Sequence, residues 1–90
     1  MRLPDHALAE AIGTRIRALR LAVGITAQEL GRRTGSHRSI ICRIELGYHV
    51  PNVQTLAGIA SAFGMSLSSL LAGVDDPPDD PAAARLQETA

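Results

Sequence analysis

Apolar residues recur at helical spacing in five runs, each closed by a glycine or a turn. Ile12, Ile16, Leu19 and Val23 lie four, three and four residues apart, which is the period of one helix face. Arg15, Arg17 and Arg20 fall mostly off that stripe, Asp5 after Pro4 is the expected cap, and Gly24 is the expected stop. A second helix is predicted from Ala27 to Thr34 with Leu30 facing inward. Thr26 precedes it and Glu29 follows three residues later, the spacing of a capping box. Gly31 inside this helix costs about 1 kcal/mol relative to Ala, so a close helix crossing is expected there.

Gly35 supplies a turn, and residues 34–47, TGSHRSIICRIELG, read as that turn feeding a third short helix. At about 100° per residue, Arg38, Ser39, Cys42, Arg43 and Leu46 share an arc of about 140°, while Ile40, Ile41 and Ile44 lie opposite. So short a helix is unstable alone in water. Its isoleucines must be covered by the rest of the chain, and its arginine face is left outside. Gly47 ends it, and Tyr48 to Pro51 form a loop because Pro51 disfavours helical geometry at Val50. Asn52 caps a fourth helix running to about Phe63, with Val53, Leu56, Ile59, Ala60 and Phe63 as its stripe and Gly64 as its end. Ser66 caps a fifth, carrying Leu67, Leu70 and Leu71. The pattern is all-α: a five-helix bundle with a central helix-turn-helix, a folded body over residues 1–73 and an acidic Pro/Asp-rich tail over 74–90. DDPPDDP at 75–81 is read as extended and self-repelling, and AAARLQETA as mostly disordered on its own.

Charge separates the two parts. The formal net charge is zero, yet residues 1–72 carry eight Arg against four acids and residues 73–90 one Arg against five. The body is therefore basic and the tail acidic. There is no Lys, one Phe, one Tyr and no Trp, so the core must be aliphatic. A single Cys excludes an internal disulfide framework and suits a reducing compartment, and no apolar run is long enough to span a bilayer. The chain is read as soluble and cytoplasmic, without contact with membranes. His37, His49 and Cys42 lack metal-site spacing, and no nucleophile–base–orienter set or phosphate-binding glycine loop occurs. The reading is non-enzymatic, with no cofactor and no metal. His6 reads as a solvated surface residue.

The helix-one run IGTRIRALRLAVG, the unit ITAQELGRRTG, the recognition-helix core RSIICRIELG and the segment PNVQTLAGIASAFGMSLSSLL together resemble the phage Cro/repressor-type, or xenobiotic-response-element-like, helix-turn-helix family over residues 12–71. The resemblance implies a bundle that binds double-stranded operator DNA, usually as a two-fold dimer. It implies base contacts from Arg38, Ser39 and Arg43, with His37 capping the recognition helix and approaching phosphate. Gln28, Arg32, Cys42 and Tyr48 are the further candidates for backbone contact or positioning. Arg20 and Glu45 stand where the family commonly places an ion pair. The chain departs from the family at Ala27, where Gln is general and Gln28 comes one place late, and at Ser36, Leu46 and Tyr48.

Two function classes follow. The first is a sequence-specific transcriptional regulator, a repressor reading operator half-sites in the major groove as a dimer. The alternative is a protein-partner module on the same fold, such as an antitoxin that neutralises a toxin, with DNA binding secondary. Arg15, Arg17, Arg32 and Arg33 serve solubility in the plain reading and phosphate contact in the other. A dimer is expected to form through the last helix or the tail, because Leu67, Leu70 and Leu71 offer more apolar surface than one short helix hides.

Overall fold

The computed structural model describes residues 5–74, with side chains from Ala7 onward. Five helices follow in order: α1 (Asp5–Val23), α2 (Ala27–Thr34), α3 (Arg38–Glu45), α4 (Val53–Ala62) and α5 (Leu67–Leu70). No strand occurs among the described residues, and none of the helices is long and apolar enough to cross a membrane. Residues 75–90, where the acidic tail is expected, lie outside the described residues, as do the side chains of Asp5 and His6.

Local chemistry sets the helix ends. The side chains of Thr26, Asn52 and Ser66 each accept a hydrogen bond from the backbone N–H three residues on, so three of the starts are capped by an oxygen. At α2 only half of the expected capping box forms. Glu29 does not reach back to Thr26; its carboxylate is taken by Arg32 and Arg33 one turn ahead, where charge-assisted bonds are stronger than a bond to a neutral amide. Gly35 closes α2 at φ 73°, and the Gly35 and Ser36 amides both turn back to the Gly31 carbonyl. At the end of α3, the Tyr48 amide donates to the Arg43 carbonyl and the Gly47 amide to the Ile44 carbonyl, a Schellman closure.

The core is aliphatic. Ile16, Leu30, Ile41, Ile44, Ile59 and Leu70 are its largest fully enclosed side chains, one or two from each helix. Two stripe residues lie outside it: Val23 and Val53 are exposed. Each sits at a helix terminus, beyond the point where the neighbouring helices cross, so the period continues after the burial has ended. The leucines of α5 are absorbed by the monomer itself, Leu70 completely and Leu67 and Leu71 as half-buried neighbours. Leu67 and Leu71 keep only part of their surface in water, so less apolar surface is left there than expected. Val74, one residue beyond the expected end of the body, also packs into the core.

Two glycines allow close approaches. A Cβ on Gly13 would stand 2.7 Å from the Glu45 carbonyl oxygen and closer still to that of Ile44, so α1 meets the backbone of α3 directly at this point. A Cβ on Gly31 would stand 2.6 Å from the Ser36 carbonyl oxygen. The backbone that crowds Gly31 is that of the α2–α3 turn and the first residue of α3, so the close approach expected there is made at the start of α3 and not midway along a helix.

Candidate nucleic-acid interface

The turn at residues 35–37 sets α3 across α2, with Ile41 and Ile44 buried and Arg38, Ser39 and Arg43 exposed. Ser39 and Arg43 are four residues apart and so share a face one turn from each other. Neither Arg38 nor Arg43 forms an ion pair with another described residue. His37 occupies the N-cap position with extended backbone geometry, but its side chain makes no capping hydrogen bond. The first amides of α3 therefore lack a side-chain acceptor from their own cap, and such N–H groups at a helix start favour an anion.

A partly buried ion pair fixes the pose of α3. Arg20, in the last turn of α1, donates Nε to Glu45 Oε2 at 2.6 Å and Nη2 to Glu45 Oε1 at 3.0 Å. Its Nη1 donates to the Ile25 carbonyl in the α1–α2 loop at 2.9 Å. The two side chains are 13% and 6% exposed. The hydrogen bond to Glu45 raises the Arg20 pKa above its ordinary value, against the opposing effect of burial. One guanidinium thus ties α1, the loop and α3 together.

The remaining candidates divide between two shallow grooves. Gln28, Arg32, His37 and Arg38 line one, around the turn. Gln28, Arg38 and Cys42 line the other, with Arg20, Leu21 and Thr26 among its walls. Gln28 and Arg38 belong to both. Cys42 is half-buried and also lines a smaller concavity with Arg17, Arg20, Ala27, Glu45 and Leu46. Tyr48 is exposed in the loop after Gly47 and lines neither groove.

Arg32 is not a free cation. Its Nε and Nη2 donate to the two oxygens of Glu29 at 2.8 and 2.7 Å, and Arg33 Nε donates to the same carboxylate at 3.0 Å. These bonds, that from Arg32 first, push the Glu29 pKa down to about 2. Arg15 is also engaged elsewhere: Nε and Nη2 donate to the carbonyls of Leu70 and Ser69 at 3.0 and 2.9 Å, capping the end of α5. Arg17 is different. It is exposed and lines a concavity with Cys42 and Leu46, beside α3. Its signal in the sequence is its place one turn before Arg20 on α1, which puts it on the side that faces α3.

The comparisons with known proteins agree with this geometry. No curated protein sequence matches the chain significantly. Among solved structures, the chain is similar to the clp gene regulator ClgR from C. glutamicum, at 27% identity over 74% of this chain and 87% of that one, with a TM-score of 0.70. It is similar to the restriction-modification controller protein C.AhdI from Aeromonas hydrophila, at 26% identity over 69% and 94%, with a TM-score of 0.67. It is similar to the phage P22 c2 repressor, solved in complex with a synthetic operator, at 32% identity over 69% and 94%, with a TM-score of 0.64. A helix-turn-helix family profile matches residues 16–70, more than half of the chain, and covers the second to the fifth helices whole. The chain belongs to the Cro/C1-type helix-turn-helix family.

Proposed function

We propose that this protein is a DNA-binding regulator of transcription, a repressor whose α3 enters the major groove of an operator half-site. The observation that carries this reading is the outer face of α3. Arg38, Ser39 and Arg43 are exposed on it, while its isoleucines are locked in the core and Arg20–Glu45 fixes its orientation. Family membership and the operator-bound P22 c2 repressor support it.

In this motif the N-terminal part of the second helix meets base edges. Arg38 opens α3 and Arg43 follows just over one turn later, so both reach toward the groove floor. The planar guanidinium matches the O6 and N7 acceptors of guanine, a pairing worth about 1–3 kcal/mol against a wrong base. Guanines are therefore expected in each half-site, with Ser39 contributing to readout. His37, Gln28 and Tyr48 position the helix against the backbone. Arg17 joins them as a phosphate contact, and Arg32 does so once it leaves Glu29. An eight-residue helix spans only about 12 Å, a few base pairs. Two half-sites about 34–36 Å apart restore specificity, so the DNA-bound species is a dimer.

The test is binding-site selection from a random duplex pool with the wild type, Arg38→Ala and Arg43→Ala. Each variant is expected to relax base preference at one position of the half-site. Loss of affinity with unchanged preference in both would show that these arginines contact phosphate instead.

A further inference from the structure

Every charged residue of residues 1–74 lies at or before position 45; residues 46–74 contain no Asp, Glu, Lys or Arg. The described fold is thus divided into an arginine-bearing half, built on α1 to α3, and an uncharged half made of the α3–α4 loop, α4 and α5. Of the seven large apolar side chains exposed among the described residues, Leu8, Leu21 and Val23 lie on α1, and the other four follow one another closely at the start of the uncharged half. Leu46, Val50 and Val53 are 55%, 52% and 68% exposed, and Tyr48, assigned above to the DNA side, lies between the first two in sequence. Pro51, between the two valines, is buried and anchors the loop that carries them. Exposed apolar residues so concentrated mark an interaction surface, and the centre of such a surface is characteristically poor in charge.

We infer that the α3–α4 loop and the first turn of α4, through Val50 and Val53, are the face on which a second copy of this chain packs. Electrostatics select the occupant. In a two-fold contact the same patch meets itself, so any charge near the axis faces its own like charge. The arginine half would set guanidiniums against their own copies near the axis, whereas the uncharged half sets no charge there. The position also suits the dimer proposed above, on which this inference rests. The patch begins where α3 ends, so a contact there joins two recognition helices near their C-terminal ends and leaves Arg38 at the opposite end of each. The leucines of α5, which pack wholly or partly into the monomer's own core, have no part in it.

The experiment is sedimentation of the full chain, alone and on a palindromic operator, as wild type, Val53→Glu, Val53→Lys and the equimolar mixture of the two variants. Circular dichroism verifies that each is folded, as expected for a site already in water. The wild type is expected to dimerise. Each variant should weaken self-association at least tenfold, since like charges meet, and the mixture should recover the dimer, since opposite charges then meet. Val23→Glu, at an exposed valine outside the uncharged segment, should dimerise as the wild type does. Val50→Ser repeats the test without adding a charge and should weaken the dimer in the same direction. Wild-type association by both Val53 variants, or failure of their mixture to recover it, overturns this face while leaving the dimer standing. So does a dimer lost in Val23→Glu. A wild type that stays monomeric on the palindrome removes the dimer reading itself and leaves the patch to a different protein.

Discussion

Arg20 and Glu45 form a two-bonded pair across the α1–α3 contact, 25 residues apart in sequence and nearly closed off from water. The third donor of the guanidinium, to the Ile25 carbonyl, leaves little room for Arg20 to turn elsewhere. Breaking such a pair from one side strands a partly buried charge and costs up to about 3–5 kcal/mol. Glu45→Ala is therefore expected to lose stability in that range by urea denaturation. A change below about 1 kcal/mol would mean that water screens the pair.

Gly13 and Gly58 are both helical glycines with opposite expected responses to alanine. At Gly13 the new methyl would press on the carbonyls of Ile44 and Glu45, backbone atoms that cannot swing aside. Gly13→Ala should destabilise by about 1–3 kcal/mol or more, because α1 and α3 must separate. At Gly58 nothing lies within 4 Å of the added carbon. Gly58→Ala should stabilise by about 0.5–1 kcal/mol through helix propensity alone. Thermal unfolding of both variants decides, and equal shifts would remove the close crossing as the explanation.

These two residues also show what the sequence made legible. The helices were readable because Thr26, Asn52 and Ser66 announce their starts and glycines announce their ends. The core was readable because Ile12 and Ile16, Ile41 and Ile44, and Leu56 and Ile59 recur at the helical period within their own helices. Gly13 left no such trace, since a close approach depends on another segment of chain and not on its own neighbours. Val23 and Val53 misled for the converse reason: a period says which way a residue points but not whether anything is there to cover it. The exposed face of α3 followed from periodicity, whereas the roles given to Arg38, Ser39 and Arg43 came from the family resemblance. The carbonyl contacts of Arg15, made to residues 54 and 55 positions away, could not be read from any local pattern.

Glu29 is expected to stay ionised far into acid. With its pKa lowered from 4.5 to about 2 by Arg32 and Arg33, it contributes stability that is fully present above about pH 4.5 and lost as pH falls through about 2. A carboxyl-carbon NMR titration should place its midpoint near 2, and a midpoint near 4.5 would mean that the arginines do not hold it in solution.

The same carboxylate competes with DNA for Arg32 and Arg33. Glu29→Gln removes the competitor and leaves the helix and its cap intact. Affinity for duplex DNA of any sequence should rise at low salt, and the gain should fade as salt increases. Gel-shift titrations across a salt series measure this. A gain confined to one operator sequence would contradict a phosphate role for these arginines.

Removal of residues 75–90 should act in the same direction. The segment carries five acids against Arg85 and repels phosphate wherever it lies near the arginine half. Because Val74 belongs to the core, the cut must follow Val74 and not Gly73. The truncated protein should bind non-specific duplex more tightly at low salt and equally at high salt, where the Debye length is short. Equal low-salt affinities would leave the tail without influence on binding.

The grip of Arg15 on the carbonyls of Ser69 and Leu70 joins the first helix of the bundle to the last. A four-residue helix has no stability of its own, and ordinarily the end of a chain is where a domain frays first. Here the final turn can open only if the first helix releases it, and the first helix is itself bound to the recognition helix through Gly13 and Arg20. The two ends of the described fold and its DNA-facing middle are thus one cooperative unit, in which local opening at the terminus is suppressed. Hydrogen exchange should find the Leu70 amide protected almost as long as those of the central helices, and Arg15→Ala should shorten that protection at Leu70 well before it lowers the protection of α3.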